Sequence, residues 1–164
     1  MGGDNMNGFW VISDTHFFHE NIIEYAGRPF KDVEGMNNHM ISKWNEVISP
    51  EDTIYHLGDF AMGKENVAEL VTQLNGKIIL ILGNHDRKGK QWFREQGFVD
   101  AVKEVSIGKF LLTHRPKREG LPDGMINIHG HMHGKTANLD KDIYMDYSVE
   151  CTNYAPAWIK LDKS

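Results

Sequence analysis

The chain has 164 residues, 40% of them hydrophobic and 25% charged. That length suits one ordinary domain with a full core, and the composition excludes disorder, collagen and coiled coil. Eighteen basic against twenty-three acidic residues give a net charge of −5, so nothing in the overall balance attracts nucleic acid or acidic membranes. The longest aliphatic run, Ile78 to Leu82, is too short to cross a bilayer. One cysteine, Cys151, excludes an internal disulfide or a thiolate cluster and reads as a small buried hydrophobe. No charged-then-apolar leader is seen, so a reducing, cytoplasmic setting is expected.

In chain order, residues 1–8 read as a loose polar tail and residues 9–164 as a single domain. Phe9 to Ser13 reads as a buried strand that ends at Asp14. From Asp32, a plausible N-cap, Val33, Met36, Met40, Trp44 and Val47 recur at steps of three or four and predict an amphipathic helix. Ser49-Pro50 stops it. Thr53 to His56 is a second strand. Val67, Leu70, Val71 and Leu74 mark another helix, with Gly76 as its C′ residue. Lys77 to Leu82 is a strand buried on both faces, and a short helix runs from Lys90 to Gln96. The second half is mostly strand: Ala101–Ile107, Phe110–Thr113, Met125–His129, Ile143–Ser148 and Trp158–Leu161, with a hairpin turn at Gly108-Lys109. The pattern predicts an α/β layered fold whose second sheet is largely antiparallel.

The chemistry lies at the strand ends. Asp14-Thr15-His16, Gly58-Asp59, Gly83-Asn84-His85-Asp86, Thr113-His114 and His129-Gly130-His131-Met132-His133-Gly134 each follow a predicted strand. Ligands of open α/β sheets bind outside the carboxyl ends of strands, so these five ends point into one cleft. Asp14, His16, Asp59, Asn84, His114, His131 and His133 offer imidazole and oxygen donors without sulfur. Seven ligands exceed the need of one ion, and with one bridging carboxylate they suit two.

These five blocks, in this order, resemble the signature of the calcineurin-like metallophosphoesterase superfamily. They span residues 14 to 133, and the run Ser13 to Ile23 is similar to its short bacterial and phage members, which lack a cap domain. The resemblance implies a two-sheet β-sandwich flanked by helices in α/β/β/α layers. It also implies two divalent transition metal ions (Mn, Fe, Zn or Ni). Asp14, His16 and His133 would hold one, and Asn84, His114 and His131 the other, with Asp59 bridging. A metal-bound hydroxide would attack phosphorus in line. His85 would face the substrate and stabilise or protonate the leaving oxygen, with Asp86 orienting its ring. The Gly-Asp block continues Phe60-Ala61-Met62, without the further acid of the protein-phosphatase branch.

The remaining histidines divide. His39 reads as surface, His56 and His129 as supporting or core residues, and His19 as either a substrate contact or loop surface. Two basic runs, Arg87-Lys88-Gly89-Lys90 and Arg115-Pro116-Lys117-Arg118, directly follow metal-site blocks. They read either as solvated loops or as a rim that attracts an anionic substrate. Arg28, in Gly27-Arg28-Pro29-Phe30, is a candidate phosphate clamp. The expected activity is hydrolysis of a small phosphate ester, a monoester, diester or nucleotide. The alternatives are a metal-stabilised binding module with little turnover, or a nuclease acting on short single strands. Neither a membrane nor long duplex DNA is an expected partner.

Overall fold

The computed structural model describes residues 7–83, 86 and 88–161. The first half alternates strand and helix: β1 (Gly8–Ile12), α1 (Asn21–Tyr25), α2 (Val33–Val47), β2 (Thr53–His56), α3 (Val67–Gln73), β3 (Lys77–Ile81) and α4 (Lys90–Glu95). The second half supplies β4 (Asp100–Val102), β5 (Val105–Ile107), β6 (Phe110–Leu112), β7 (Ile126–His129), β8 (Tyr144–Asp146) and β9 (Ala157–Lys160). The strands form two sheets, in the orders β4-β3-β2-β1-β9 and β5-β6-β7-β8.

Helix α2 forms where the apolar spacing places it. The Asp32 carboxylate accepts the Gly35 N–H at 2.8 Å and caps the first turn. Met36, Met40 and Trp44 are fully buried on one face, each such side chain stabilising the fold by about 1.5–3 kcal/mol. The indole N–H of Trp44 donates to the Asn75 carbonyl at 2.8 Å, so its one polar atom is satisfied.

Side-chain alternation in the first sheet sorts the core into two layers. Ile12, Ile54, Ile78 and Leu80 meet Ile22, Met36, Met40, Trp44, Leu70 and Phe93 on the helical side. Phe9, Val11, Leu57 and Ile81 meet Phe110, Leu112 and Ile128 between the sheets. All four α-helices bury residues in the first of these layers, so the described residues stack as helix, sheet, sheet.

Four expectations are corrected. The second sheet is mostly parallel: β5 and β6 form the antiparallel hairpin, but β6–β7 and β7–β8 run parallel. Parallel pairing needs a long crossover, and residues 113–125 and 130–143 supply it. Ala101–Ile107 is two strands, because the chain leaves the first sheet after Val102 and enters the second at Val105. Gly76 does not cap α3: the helix ends at Gln73 with Leu74 already extended, and Gly76 lies farther on at φ +98°. A Cβ there would stand 2.7 Å from Ile48 Cγ2, so close approach to the end of α2 requires the glycine. Cys151 is exposed, because in the turn Val149–Cys151 it is Val149 that takes the buried position. Of the tail expected over 1–8, residues 1–6 lie outside the described residues, and Gly8 already belongs to β1.

His56 ends β2 inside the helical core. Its Nε2 lies 2.9 Å from Thr15 Oγ1, and its Nδ1 accepts the Gly58 N–H at 3.1 Å. Burial pushes its pKa down to about 3, against the attraction of Asp14 and Asp59. The folded protein therefore refuses a proton that the unfolded chain accepts near pH 6.5. The resulting stability is complete above pH 6.5 and declines as pH falls toward 3, by about 1.4 kcal/mol per pH unit in between. Urea unfolding of the metal-free protein between pH 7 and 4 should show this slope, and His56→Gln should flatten it by about one proton.

Candidate metal centre

The parallel arrangement of the second sheet has a chemical consequence. It puts the carboxyl ends of β6 and β7 on the same edge as those of β1, β2 and β3. The turns that leave β1 and β2 are bound to each other: Asp14 and His16 donate backbone N–H to Gly58 and Asp59 carbonyls at 2.9 and 3.0 Å. Those leaving β6 and β7 are joined by Gly130 N–H to the His114 carbonyl at 2.8 Å. Asp14, His16, Asp59, His131 and His133 all have φ between 50° and 71°. Such left-handed backbone costs about 1–3 kcal/mol per residue and persists only where the surroundings impose it.

Glycine is required where these turns touch. A Cβ on Gly130 would lie 2.0 Å from Ser13 Oγ and 2.2 Å from Asp14 Oδ2. One on Gly83 would lie 2.6 Å from Asp59 Oδ1 and 3.0 Å from His114 Cε1. The glycines of these motifs leave the space that the ligand side chains fill.

Two clusters result: Asp14, His16 and His133, and Asp59, His114 and His131, with one donor atom of each residue within 4.8 Å of the others in its cluster. Asp14 Oδ1 stands 3.7 Å from Nε2 of both His16 and His133. Asp59 Oδ2 stands 3.5 Å from Nε2 of both His16 and His114, one from each cluster, so it lies between the two groups.

The donor set fits divalent cations. Asp14 Oδ1 and His114 Nε2 are buried and have no hydrogen-bond partner among the described residues. Their opposite atoms are committed. Asp14 Oδ2 accepts from Ser13 Oγ at 2.5 Å and from His131 N–H at 2.8 Å. His114 Nδ1 lies 2.8 Å from the Leu57 carbonyl, an acceptor that fixes the proton on Nδ1 and leaves the Nε2 lone pair for a metal. Burial would raise the Asp14 pKa. His16, His114, the His131 N–H and Ser13 outweigh it and hold the carboxyl well below the usual carboxylate range.

A supporting ring completes the site, and the sequence reading missed its main member. Glu150 Oε2 stands 3.0 Å from His133 Nδ1 and accepts from Arg28 Nε at 2.7 Å. Carboxylates at the far nitrogen of a ligating histidine fix ring orientation and raise basicity. Glu150 belongs to none of the five motif blocks, so only the chain's return after β8 reveals it. Arg28 is corrected. It is buried, and its remaining donors reach the Asp14 carbonyl at 2.6 Å and the Thr15 carbonyl at 2.8 Å. It braces the first ligand turn from beneath and offers no free fork to a phosphate.

Asp86 is likewise occupied by backbone. It accepts from Asp59 N–H at 2.7 Å, Gly83 N–H at 2.9 Å and Phe60 N–H at 3.2 Å, so both its oxygens fasten the Asp59 turn. Burial pushes its pKa above the ordinary value, against those three bonds. His19 is half-buried with Nδ1 3.2 Å from His16 Nδ1, and it lines the cleft. Arg115 is exposed and lines a second groove beside His114, with Lys103 and Lys117. His39 is exposed, and His129 is buried with Nδ1 2.9 Å from the Gly130 carbonyl. Asn84, His85 and Arg87 lie outside the described residues.

A two-sheet α/β fold with paired His/Asp clusters at one sheet edge defines a class, the metal-dependent phosphoesterases. The chain belongs to the calcineurin-like phosphoesterase superfamily, whose domain model matches residues 8–145. It is 40% identical over 169 residues to the uncharacterized protein MJ1445 of Methanocaldococcus jannaschii, covering 96% of this chain and 90% of that one. The Gene 66 protein of Mycobacterium phage L5 is 33% identical over 85 residues, 49% of this chain and 41% of its own length. Among solved structures, AQ665 of Aquifex aeolicus, a protein of unknown function, superposes with TM-score 0.70 at 25% identity, over 92% of this chain and 95% of its own. The Pseudomonas putida nuclease MPE superposes with TM-score 0.51 at 21% identity, over 75% of this chain and 60% of its own, a likeness of fold.

Two substitutions test the Glu150 support and the space left by Gly130. Glu150→Gln should weaken manganese binding by about 10–100-fold in chelator competition while the fold persists. Gly130→Ala should displace Asp14 and remove tight binding at the Asp14 cluster altogether.

Proposed function

We propose that this protein is a dinuclear-metal phosphoesterase that hydrolyses a small anionic phosphate ester, a mono- or diester and nucleotides included. The observation that supports it most is the position of Asp59, whose Oδ2 is equidistant, at 3.5 Å, from a histidine of each cluster. Two divalent transition ions, when bound, supply Lewis acidity toward phosphoryl oxygens and lower the pKa of a water toward neutrality. The chain's own part is to hold the donors fixed and to admit the ester. Asp14 and Asp59 provide the negative charge, and the Leu57 carbonyl and Glu150 orient the rings of His114 and His133. Asn84, from its place in the Gly83 to Asp86 motif, completes the second cluster. His85, from the same motif, donates the proton to the leaving oxygen.

A cleft of about 400 Å³ opens over these groups, lined by His16, His19, Asp59, His131 and His133 together with Asn21, Ile22 and Tyr25. That volume suits a small organic phosphate. A single-strand nuclease is the second reading. The groove beside His114, about 380 Å³ and lined by Lys103, Arg115 and Lys117, supports it as a track for further phosphates.

Calorimetry with Mn²⁺ should register two ions per chain, and the loaded protein should cleave members of a chromogenic mono- and diester panel. Asp59→Ala should lose metal and turnover together. His85→Ala should keep both ions and slow turnover about 10²–10⁴-fold. A single ion per chain, or no cleavage across the panel, defeats the proposal. The nuclease reading further requires oligonucleotide affinity that falls steeply with salt.

A further inference from the structure

The cleft has two unlike walls. One is the polar wall of metal-site side chains: His16, Asp59, His131 and His133. The other comes from α1 and is apolar and aromatic, made by Ile22 and Tyr25, with Asn21 of the same helix also on the lining. Ile22 is buried in the helical core and anchors the helix, but Tyr25 is 75% exposed. Tyr25 thus presents an aromatic ring to solvent on the lining of the cleft. Lys135 approaches this ring from the stretch after β7 that also carries His131 and His133. Its Nζ lies 5.9 Å from the Tyr25 ring centroid. The exposure of the ring shows that this lysine covers only part of it.

A phosphoryl group alone occupies only the polar wall. A cleft of about 400 Å³ also holds the organic part of the ester, and the apolar wall is where that part must rest. Aromatic faces take flat rings by offset stacking, and a cation beside them adds to the attraction. An amide on the same lining can pair with heterocyclic donors and acceptors.

We propose that Tyr25, with Lys135 and Asn21, forms a subsite for a planar aromatic group joined to the scissile phosphate, which makes nucleotide-type esters the preferred substrate class. This rests on the phosphoesterase reading for the position of the phosphate. The stacking surface itself belongs to Tyr25 and is testable without turnover.

Two probes separate the possibilities: adenosine 5′-monophosphate, which carries a flat base, and glycerol 2-phosphate, which does not. With the manganese-loaded protein, the ratio of kcat/KM for the nucleotide over glycerol 2-phosphate should fall about tenfold in Tyr25→Ala and return in Tyr25→Trp. The exposed position of Tyr25 lets the fold survive both substitutions, which thermal unfolding checks. If the wild type hydrolyses both esters and the ratio is the same in all three proteins, the subsite is refuted and the phosphoesterase reading stands. If neither monoester is cleaved, as for an enzyme confined to diesters, calorimetric binding of the nucleotide to the manganese-loaded protein decides the subsite, and the mono- and diester panel decides the phosphoesterase reading. A Kd raised about tenfold in Tyr25→Ala and restored in Tyr25→Trp sustains it. An unchanged Kd, or no nucleotide binding by the wild type, overturns it.

Discussion

Two buried carboxylates govern this structure. Asp14 and Asp59 are withdrawn from water at the meeting of the two sheets, where an uncompensated negative charge would be costly. Four imidazoles converge on them, with Asp59 shared between the two groups. The fold accepts left-handed backbone at five of these residues to bring the side chains together. Buried acids, orphaned donor atoms and strained turns at one place describe a site shaped for cations rather than for stability alone.

Around those carboxylates the chain divides its remaining polar groups between bracing and access. Arg28, from the connection between α1 and α2, ties the Asp14 and Thr15 carbonyls to Glu150, and Glu150 meets His133. Asp86 gathers three backbone amides beneath the Asp59 turn. These contacts fix the donors from below and from the side. The face above them stays open, walled by α1 on one side and by the turn after β7 on the other. A rigid floor under an open cleft is the arrangement that preorganised chemistry requires.

Several parts of this arrangement could be read along the chain. The spacing of Met36, Met40 and Trp44 gave α2 its buried face, and Asp32 marked its start. The run Thr53–His56 matched β2. Each donor lay just beyond an apolar run, so strand-end placement followed from local pattern. Other parts resisted the same reasoning. Arg28 looks like any loop arginine, because its partners are the carbonyls of Asp14 and Thr15, in the earlier turn after β1, and a glutamate over a hundred residues downstream. The stretch from Ala101 to Ile107 contains no glycine or proline to mark a break although the chain changes sheets within it.

The sequence by itself determined the donor chemistry, its order and its family, because these depend on residue type and on short-range spacing. The tertiary structure alone decided that β6, β7 and β8 run parallel, which brings the ends of β6 and β7 beside those of β1 and β2. It alone turned Arg28 inward and brought Glu150 against His133. Strand direction and the partners of a buried charge are set by contacts between distant segments, and no local pattern encodes them.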